Sequence, residues 1–422
     1  MAYSSEAQAW LDEYEGILAD YLSQIEAAGV TLAEVHSGKQ EKRELLARVT
    51  AKGAEIRNGN ASICVNGLST ACVACTGDIG SCTFFYSLKC PRNCYYCFNC
   101  NQEDYEYFLT HDRDWASEMD EMQQQGKALT HIGLTGGEPL LDPEKTLSFL
   151  HEAHRRWPEA HIRLYTSGWN VTEELLHGLV SAGLNEIRFS VKLDEGAQSY
   201  DEVMSRIRIA SGIDELDTMV EMPVIPGTFE IMKQLLLELD AAGVFGINLL
   251  EFCYPQGSWD EFGRRGFEVR NPPFPVLYNW GYAGGLPIAG SELDCLRLVE
   301  FALDQCLSLS VHYCSLENKH RDQVLSQNRN VQVGDPFELD PNDFYYKTIK
   351  IFGKEALNAR ELLKQQRVQG WTFDDSDTSL SIPPRFAGLL SAVKADLFIS
   401  YNIVEPRGAS FVLRELVLKE YE

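Results

Sequence analysis

Four cysteines fall within eleven residues of this chain, at Cys90, Cys94, Cys97 and Cys100. The first three are spaced C-x3-C-x2-C and follow a strand-like apolar run, "TFFYSL". Thiols this close can form disulfides, close round a zinc ion or hold an iron–sulfur cluster. Three thiolates from one short loop can bind three irons of a cubane 4Fe–4S cluster and leave the fourth iron without a protein ligand. That open position separates a catalytic metal centre from a closed structural one. A structural zinc site needs a fourth ligand, which Cys100 would supply as the second half of a C-x2-C pair.

Composition weighs against the disulfide reading. The N-terminus, "MAYSSEAQAWLDEYEGILADYL", lacks the basic start and apolar run of a secretory signal. No segment holds the roughly 18 uninterrupted apolar residues that span a bilayer. A cytoplasmic protein without a membrane partner is expected, and its twelve cysteines then read as metal ligands or small buried hydrophobes. With 62 acidic against 37 basic residues and a formal charge of −25, broad binding to a phosphate backbone is disfavoured.

About forty residues past the cysteines comes "LTGGEPLLD", with Gly136, Gly137, Glu138 and Pro139 at the end of a strand-like run. Glycines let backbone approach a ligand closely, and a carboxylate pairs with an ammonium. The triplet with aromatic Tyr96 before Cys97, followed by this stretch, resembles the radical S-adenosylmethionine superfamily. The resemblance implies a 4Fe–4S cluster on Cys90, Cys94 and Cys97, with S-adenosylmethionine as cofactor and its amino group received at residues 136–139. It also implies reductive cleavage to a 5′-deoxyadenosyl radical that abstracts hydrogen. An electron donor such as flavodoxin or ferredoxin and anaerobic chemistry follow from that. Thr166 in "YTSGW" stands where the family has a turn near the cofactor. Ser190, with Lys192, stands where polar groups meet its ribose or carboxylate, and Glu221 in "VEMPVIPG" is placed for the adenine. Each of these is also readable as a simple strand-end turn.

A second group of cysteines, Cys64, Cys72, Cys75 and Cys82, lies in a Gly/Ser-rich stretch read as loop. With Cys314 as a further candidate ligand, they make a candidate second site for an auxiliary iron–sulfur cluster or zinc. Cys253, Cys295 and Cys306 read as core. The "ACVAC" stretch, "NLLEF" with Asn248 and Glu251, and Cys314, Lys319 and Gln323 resemble an uncharacterised radical group related to pyruvate formate-lyase activating enzyme. The segment His320-Arg321-Asp322 departs from that pattern.

These residues need a scaffold. Apolar strands alternate with amphipathic helices over about 230 residues, the mark of a parallel sheet with right-handed crossovers. The expected fold is α/β: a partial (β/α)6 TIM-like barrel with an N-terminal helical extension and a small C-terminal α+β module. The expected divisions are residues 1–60 (helical), 61–86 (Cys-rich loop and entry strand), 87–325 (barrel) and 326–422 (C-terminal extension, ending in a hairpin at "EPRGAS"). Hydrogen abstraction from a peptide or protein is the favoured activity. The alternatives are a small metabolite or tRNA as substrate, or a zinc-binding interaction protein with a degenerate barrel.

Overall fold

The structure is a computed structural model and describes residues 3–77, 80–193, 196–255, 259–278, 285–393, 395–408 and 410–421. Ala409, within the expected C-terminal turn, and residues 78 and 79 of the Cys-rich stretch lie outside the described residues. The chain divides into two compact units, Leu32–Asn271 with Ala283–Lys319, and Met1–Thr31 with Pro272–Tyr282 and His320–Glu422.

The first unit contains a nine-stranded sheet. Its strands are β1 (Glu55–Arg57), β2 (Ser62–Val65), β3 (Ser81–Phe85), β4 (His131–Thr135), β5 (His161–Thr166), β6 (Glu186–Phe189), β7 (Asp217–Val224), β8 (Gly246–Glu251) and, after the short pair β9 (Cys253–Tyr254) and β10 (Leu286–Pro287), β11 (Ser310–Cys314). The order is β1-β2-β11-β8-β7-β6-β5-β4-β3. Strands β3 to β8 run parallel with sequential neighbours, β11 joins parallel to β8, and β2 closes antiparallel onto β11. This is the partial barrel, six β/α strands extended by three more.

Alternation along the strands decides what faces inward. In "HIRLYT", Ile162 and Leu164 are fully buried in the apolar layer shared with the outer helices, so Arg163 and Tyr165 point to the other face. Ile187 and Phe189 of β6, and Val311 and Tyr313 of β11, sit in that outer layer too. Each such large apolar side chain contributes roughly 2 kcal/mol by leaving water. The helices behind them start on side-chain caps. Asp142 accepts from the Lys145 N–H at 3.2 Å and Thr172 from the Leu175 N–H at 3.2 Å.

Much of the stretch read as a Cys-rich loop forms regular elements. The β1–β2 hairpin turns at Asn58, Gly59 and Asn60, all in left-handed conformation, which Asn and Gly adopt most readily. Ser69 caps a short helix, Thr70–Cys75, by accepting from the Ala71 N–H at 3.2 Å. Cys64 therefore lies on β2, Cys72 and Cys75 on a helix, and Cys82 on β3.

The second unit is an antiparallel sheet ordered β14-β15-β13-β16-β17, with β12 on β13. These are β12 (Glu338–Leu339), β13 (Tyr346–Phe352), β14 (Thr372–Asp374), β15 (Ser379–Ile382), β16 (Phe398–Arg407) and β17 (Ser410–Glu420). Helix Gly353–Gln365 buries Ala356, Ala359 and Leu363 against Ile349, Ile351 and Leu380. The first helix of the chain, Ser5–Ala27, belongs to this unit. Its Ala7 packs with Phe352, Phe398 and Leu418, and Tyr14 donates to Glu415 at 2.8 Å. Gly16 lies exposed within that helix, and an added Cβ there meets nothing within 4 Å. Gly16→Ala is predicted to stabilise this unit by about 1 kcal/mol, because alanine loses less backbone entropy in a helix. A higher urea midpoint checks it.

Candidate functional site

The cysteine loop leaves the C-terminal end of β3 and is tied down on both sides of Cys90. Tyr86 donates to the Pro139 carbonyl at 2.5 Å, and the Cys97 N–H donates to the Cys94 carbonyl at 3.0 Å. Cys90 is exposed, and Cys94 and Cys97 are half-buried. The Cys90 thiol interacts electrostatically with both Cys94 and Cys97. Burial pushes the Cys90 and Cys97 thiols up, and Lys192 pulls Cys97 the other way. Cys100 turns its thiol to the Cys97 carbonyl at 3.1 Å. Among the described residues, no group of three or more His, Cys, Asp and Glu side chains converges tightly enough to hold a single metal ion.

Residues 136–139 are clamped against this loop. The Gly137 N–H donates to Ser87 at 3.0 Å and the Glu138 N–H to Lys89 at 2.7 Å, both on carbonyl oxygens. A Cβ on Gly137 would stand 1.9 Å from the Lys89 oxygen, so only glycine permits this approach. Gly136 has φ 117°, and its carbonyl accepts from Asn99 Nδ2 at 2.5 Å. The two motifs, forty residues apart in sequence, are neighbours.

The Glu138 carboxylate is buried and saturated. One oxygen accepts from the Leu140 N–H at 3.0 Å and Thr166 Oγ1 at 2.7 Å. The other accepts from the Ser167 N–H and Oγ, both at 2.6 Å. Those four donors match the lone-pair sites of a carboxylate. Glu138 thus fixes the Thr166–Gly168 turn, and its carboxylate oxygens are taken by protein donors. Thr166 also accepts from the Gly168 N–H at 2.9 Å.

Ser190 and Lys192 follow β6, with Lys192 Nζ 3.3 Å from Ser190 Oγ and 5.1 Å from the Tyr96 ring centroid. Tyr96 is buried beside Phe252 at 5.9 Å between rings. Glu221 lies level with Ser190, whose Oγ donates to its carbonyl at 3.3 Å, and its carboxylate accepts from Arg188 Nη1 at 2.6 Å and Asn248 Nδ2 at 2.7 Å. Burial opposes its ionisation, but Arg188 and Asn248 hold its carboxyl below the ordinary range. It is a partner in an internal ion pair, a role its sequence position did not suggest. Glu251 is likewise buried, accepting from Arg270 Nη1 at 2.9 Å and the Leu316 N–H at 3.0 Å.

Below the strand ends, the barrel interior is polar. One cross-strand row is Thr83, Gly133, Arg163 and Glu186, and another is Glu221, Asn248, His312 and Cys64. Arg188 joins them, donating to Glu186 and Glu221 and, at 3.4 Å, towards the Cys72 thiol. Burial would raise the Glu186 carboxyl, yet Arg188, the His161 ring at 3.3 Å and a hydrogen bond from Ser69 hold it at about 2. Sequence reading missed Arg163 and Arg188. The signal was there: each sits one residue out of phase with the apolar positions of its strand.

The second cysteine group is only partly assembled. Cys64 and Cys314 share the inner face, and the Cys314 thiol interacts with Cys75 and Cys72 of the short helix. Cys82 is not with them: it packs in the outer apolar layer, on the same side of β3 as Phe84. Cys295 and Cys253 are buried as expected, whereas Cys306 is exposed at a left-handed turn after its helix.

His312 is buried, with Ser62 Oγ at 2.9 Å and Asn248 Oδ1 at 2.9 Å from its ring nitrogens. Burial, then Arg188, pushes its pKa down from the ordinary 6.5 to about 3. As pH falls, the unfolded chain takes up this proton before the folded chain does. The stability His312 allows is therefore complete above pH 6.5 and lost progressively towards 3. His312→Gln should shrink the gap between urea midpoints at about pH 7.5 and about pH 4.5. An unchanged gap contradicts this.

Residues 85–239 match the family model described as the Radical SAM superfamily. The chain is 26% identical over 377 residues to a curated Methanocaldococcus jannaschii protein provisionally named a glycyl-radical enzyme activating enzyme, covering 83% of this chain and 94% of that one. Among solved structures, it is similar to the Escherichia coli coproporphyrinogen III oxidase HemN, described as a radical SAM enzyme, at 12% identity, 75% coverage of each chain and a TM-score of 0.36. It is also similar to Streptococcus suis SuiB bound to its precursor peptide, at 10% identity and a TM-score of 0.40. That match covers 74% of this chain and 64% of SuiB, a little under two thirds of its length.

Proposed function

The chain is a radical SAM enzyme, and on that premise we propose that Cys90, Cys94 and Cys97 hold a 4Fe–4S cluster and that the substrate is a peptide or protein. The observation that carries the site is the clamp between residues 87–89 and 137–138, which sets the Gly-Gly-Glu-Pro backbone beside the thiol loop. The donor set fits the group. Three mutually interacting thiols come from one accessible loop, with no fourth cysteine in the C-x3-C-x2-C spacing. When bound, the cluster and S-adenosylmethionine together supply reductive cleavage of the sulfonium to a hydrogen-abstracting 5′-deoxyadenosyl radical.

The rest falls to the chain's own side chains. The backbone of 136–139 receives the methionine amino group, while Glu138 fixes that backbone to the Thr166 turn. Ser190 and Lys192 meet the carboxylate or ribose. Tyr96, packed on Phe252, walls the cofactor from water, and Glu221 braces the floor beneath the adenine through Arg188 and Asn248. An electron comes from a flavodoxin- or ferredoxin-like donor.

The protein or peptide substrate is supported by the name of the Methanocaldococcus relative, an activating enzyme for a glycyl-radical enzyme. The test is 5′-deoxyadenosine formation by the reduced enzyme with fractionated cell extract. The protein or peptide fraction should stimulate it. Stimulation confined to the small-metabolite fraction would overturn the substrate class and leave the cofactor assignment standing.

A further inference from the structure

Arg163 lies 3% exposed on the third residue of β5, on the barrel's inner face. Its Nε donates to the Tyr165 hydroxyl at 2.9 Å and its Nη2 to Thr83 Oγ1 at 3.2 Å. Its Nη1 is buried and has no hydrogen-bond partner among the described residues. Neither contact is an acid. Burial pushes Tyr165 up to about 12, so its hydroxyl stays neutral.

An uncompensated buried guanidinium is costly, because desolvation is not returned by a counter-charge. The nearby acids are already engaged: Glu186 with Arg188, and Glu221 with Arg188 and Asn248.

Gly133, opposite Arg163 on β4, leaves its place to the guanidinium, since a Cβ there would stand 3.3 Å from the guanidinium carbon and 3.0 Å from Thr83 Oγ1. Cys75 is solvent-accessible although it interacts with Arg163, Arg188 and Glu221. Tyr165 and Glu221 are also partly accessible. Solvent therefore reaches Cys75, Tyr165 and Glu221 beside the buried guanidinium. Arg163 is three residues before the end of β5, about 10 Å below the strand ends where Ser190 and Lys192 stand.

We propose that Arg163 is the receptor of an oxyanion-binding site inside the barrel, and that it anchors a carboxylate or phosphate group of the substrate. A guanidinium fork with an unused N–H fits either oxyanion. As an anion site this stands on the geometry alone. As the substrate's anchor it rests on the radical SAM reading, with the anchored group held below the cofactor and the hydrogen to be abstracted placed between them.

The test uses the full chain, purified anaerobically, and reads thiol labelling at Cys75 by peptide mass spectrometry. Iodoacetate carries a carboxylate and iodoacetamide does not. In the wild type, the iodoacetate-to-iodoacetamide ratio at Cys75 should exceed that at exposed Cys306 by roughly tenfold, through local enrichment of the anion. Arg163→Gln should bring the two ratios together. A wild-type ratio equal to that of Cys306, or one that survives in R163Q, would overturn the site.

Buried Cys295 reports any unfolding by becoming labelled. If R163Q unfolds, Arg163→Lys decides: the charge remains, the fork is lost, and competing anions should protect Cys75 from iodoacetamide less well than in the wild type. Equal protection in R163K would count against the fork. With the wild type, protection by acetate alone identifies a carboxylate and protection by phosphate identifies a phosphoryl group. Protection by neither overturns the proposal. None of these readouts requires cleavage of S-adenosylmethionine, so failure here is distinguishable from failure of the proposed function.

Discussion

Cys94→Ala should reduce S-adenosylmethionine cleavage by at least roughly a hundredfold, since loss of a metal ligand exceeds the effect of losing its supporting contacts. Cys94 is the middle of three thiols on one loop, and no neighbouring cysteine can take its place. Cys100 is the nearest in sequence, but its thiol is turned to the Cys97 carbonyl at 3.1 Å. Cys72 and Cys75 lie on a separate helix and interact with Cys314. The comparison variant is Cys82→Ser, on the outer face of β3, which should keep both iron and cleavage. Equal loss in both variants would indicate general instability. Full cleavage in Cys94→Ala would remove the triplet from the site.

Gly137→Ala should be nearly as damaging, for a steric reason. The new methyl would lie 1.9 Å from the Lys89 carbonyl oxygen and 2.5 Å from the Leu88 carbonyl carbon. Both are backbone atoms with no rotamer to change, so the clamp must open. Overpacking of this kind costs about 3 kcal/mol or more when backbone has to move. The displaced backbone carries the residues just before Cys90, so iron retention and cleavage should fall together with the urea midpoint. Gly263→Ala provides the control, because nothing lies within 4 Å of a Cβ there. A G137A chain with wild-type stability and iron content would mean that the clamp does not position the loop.

The parallel strands were legible because their apolar positions alternate in phase, as in "HIRLYT" and "EIRFSV". The site motifs were legible because cysteine spacing and a Gly-Gly pair limit the chemistry sharply. The β1–β2 hairpin was missed because its four-residue turn, 58–61, interrupts strands of only three and four residues. Packing of Cys82 against the outer layer could have been inferred from Phe84, two residues on. The pairing of the first helix with the C-terminal sheet could not, since contacts such as Tyr14 to Glu415 join opposite ends of the chain.

Glu138 and Glu221 show the limit of motif reading. Each was placed near a cofactor by its position, and each proves to be consumed by protein donors. A motif identifies which residues share a site, whereas the hydrogen-bond inventory decides which atoms remain available to a ligand. The same inventory picks out Arg163, whose surplus donor no motif marks.

The most direct test of the cysteine-loop assignment is iron and sulfide content after anaerobic reconstitution, for the wild type and for a chain with Cys90, Cys94 and Cys97 all changed to alanine. About four irons should be lost between the two, the content of one cubane cluster, with 5′-deoxyadenosine formed only by the wild type. Equal iron in both chains would contradict it.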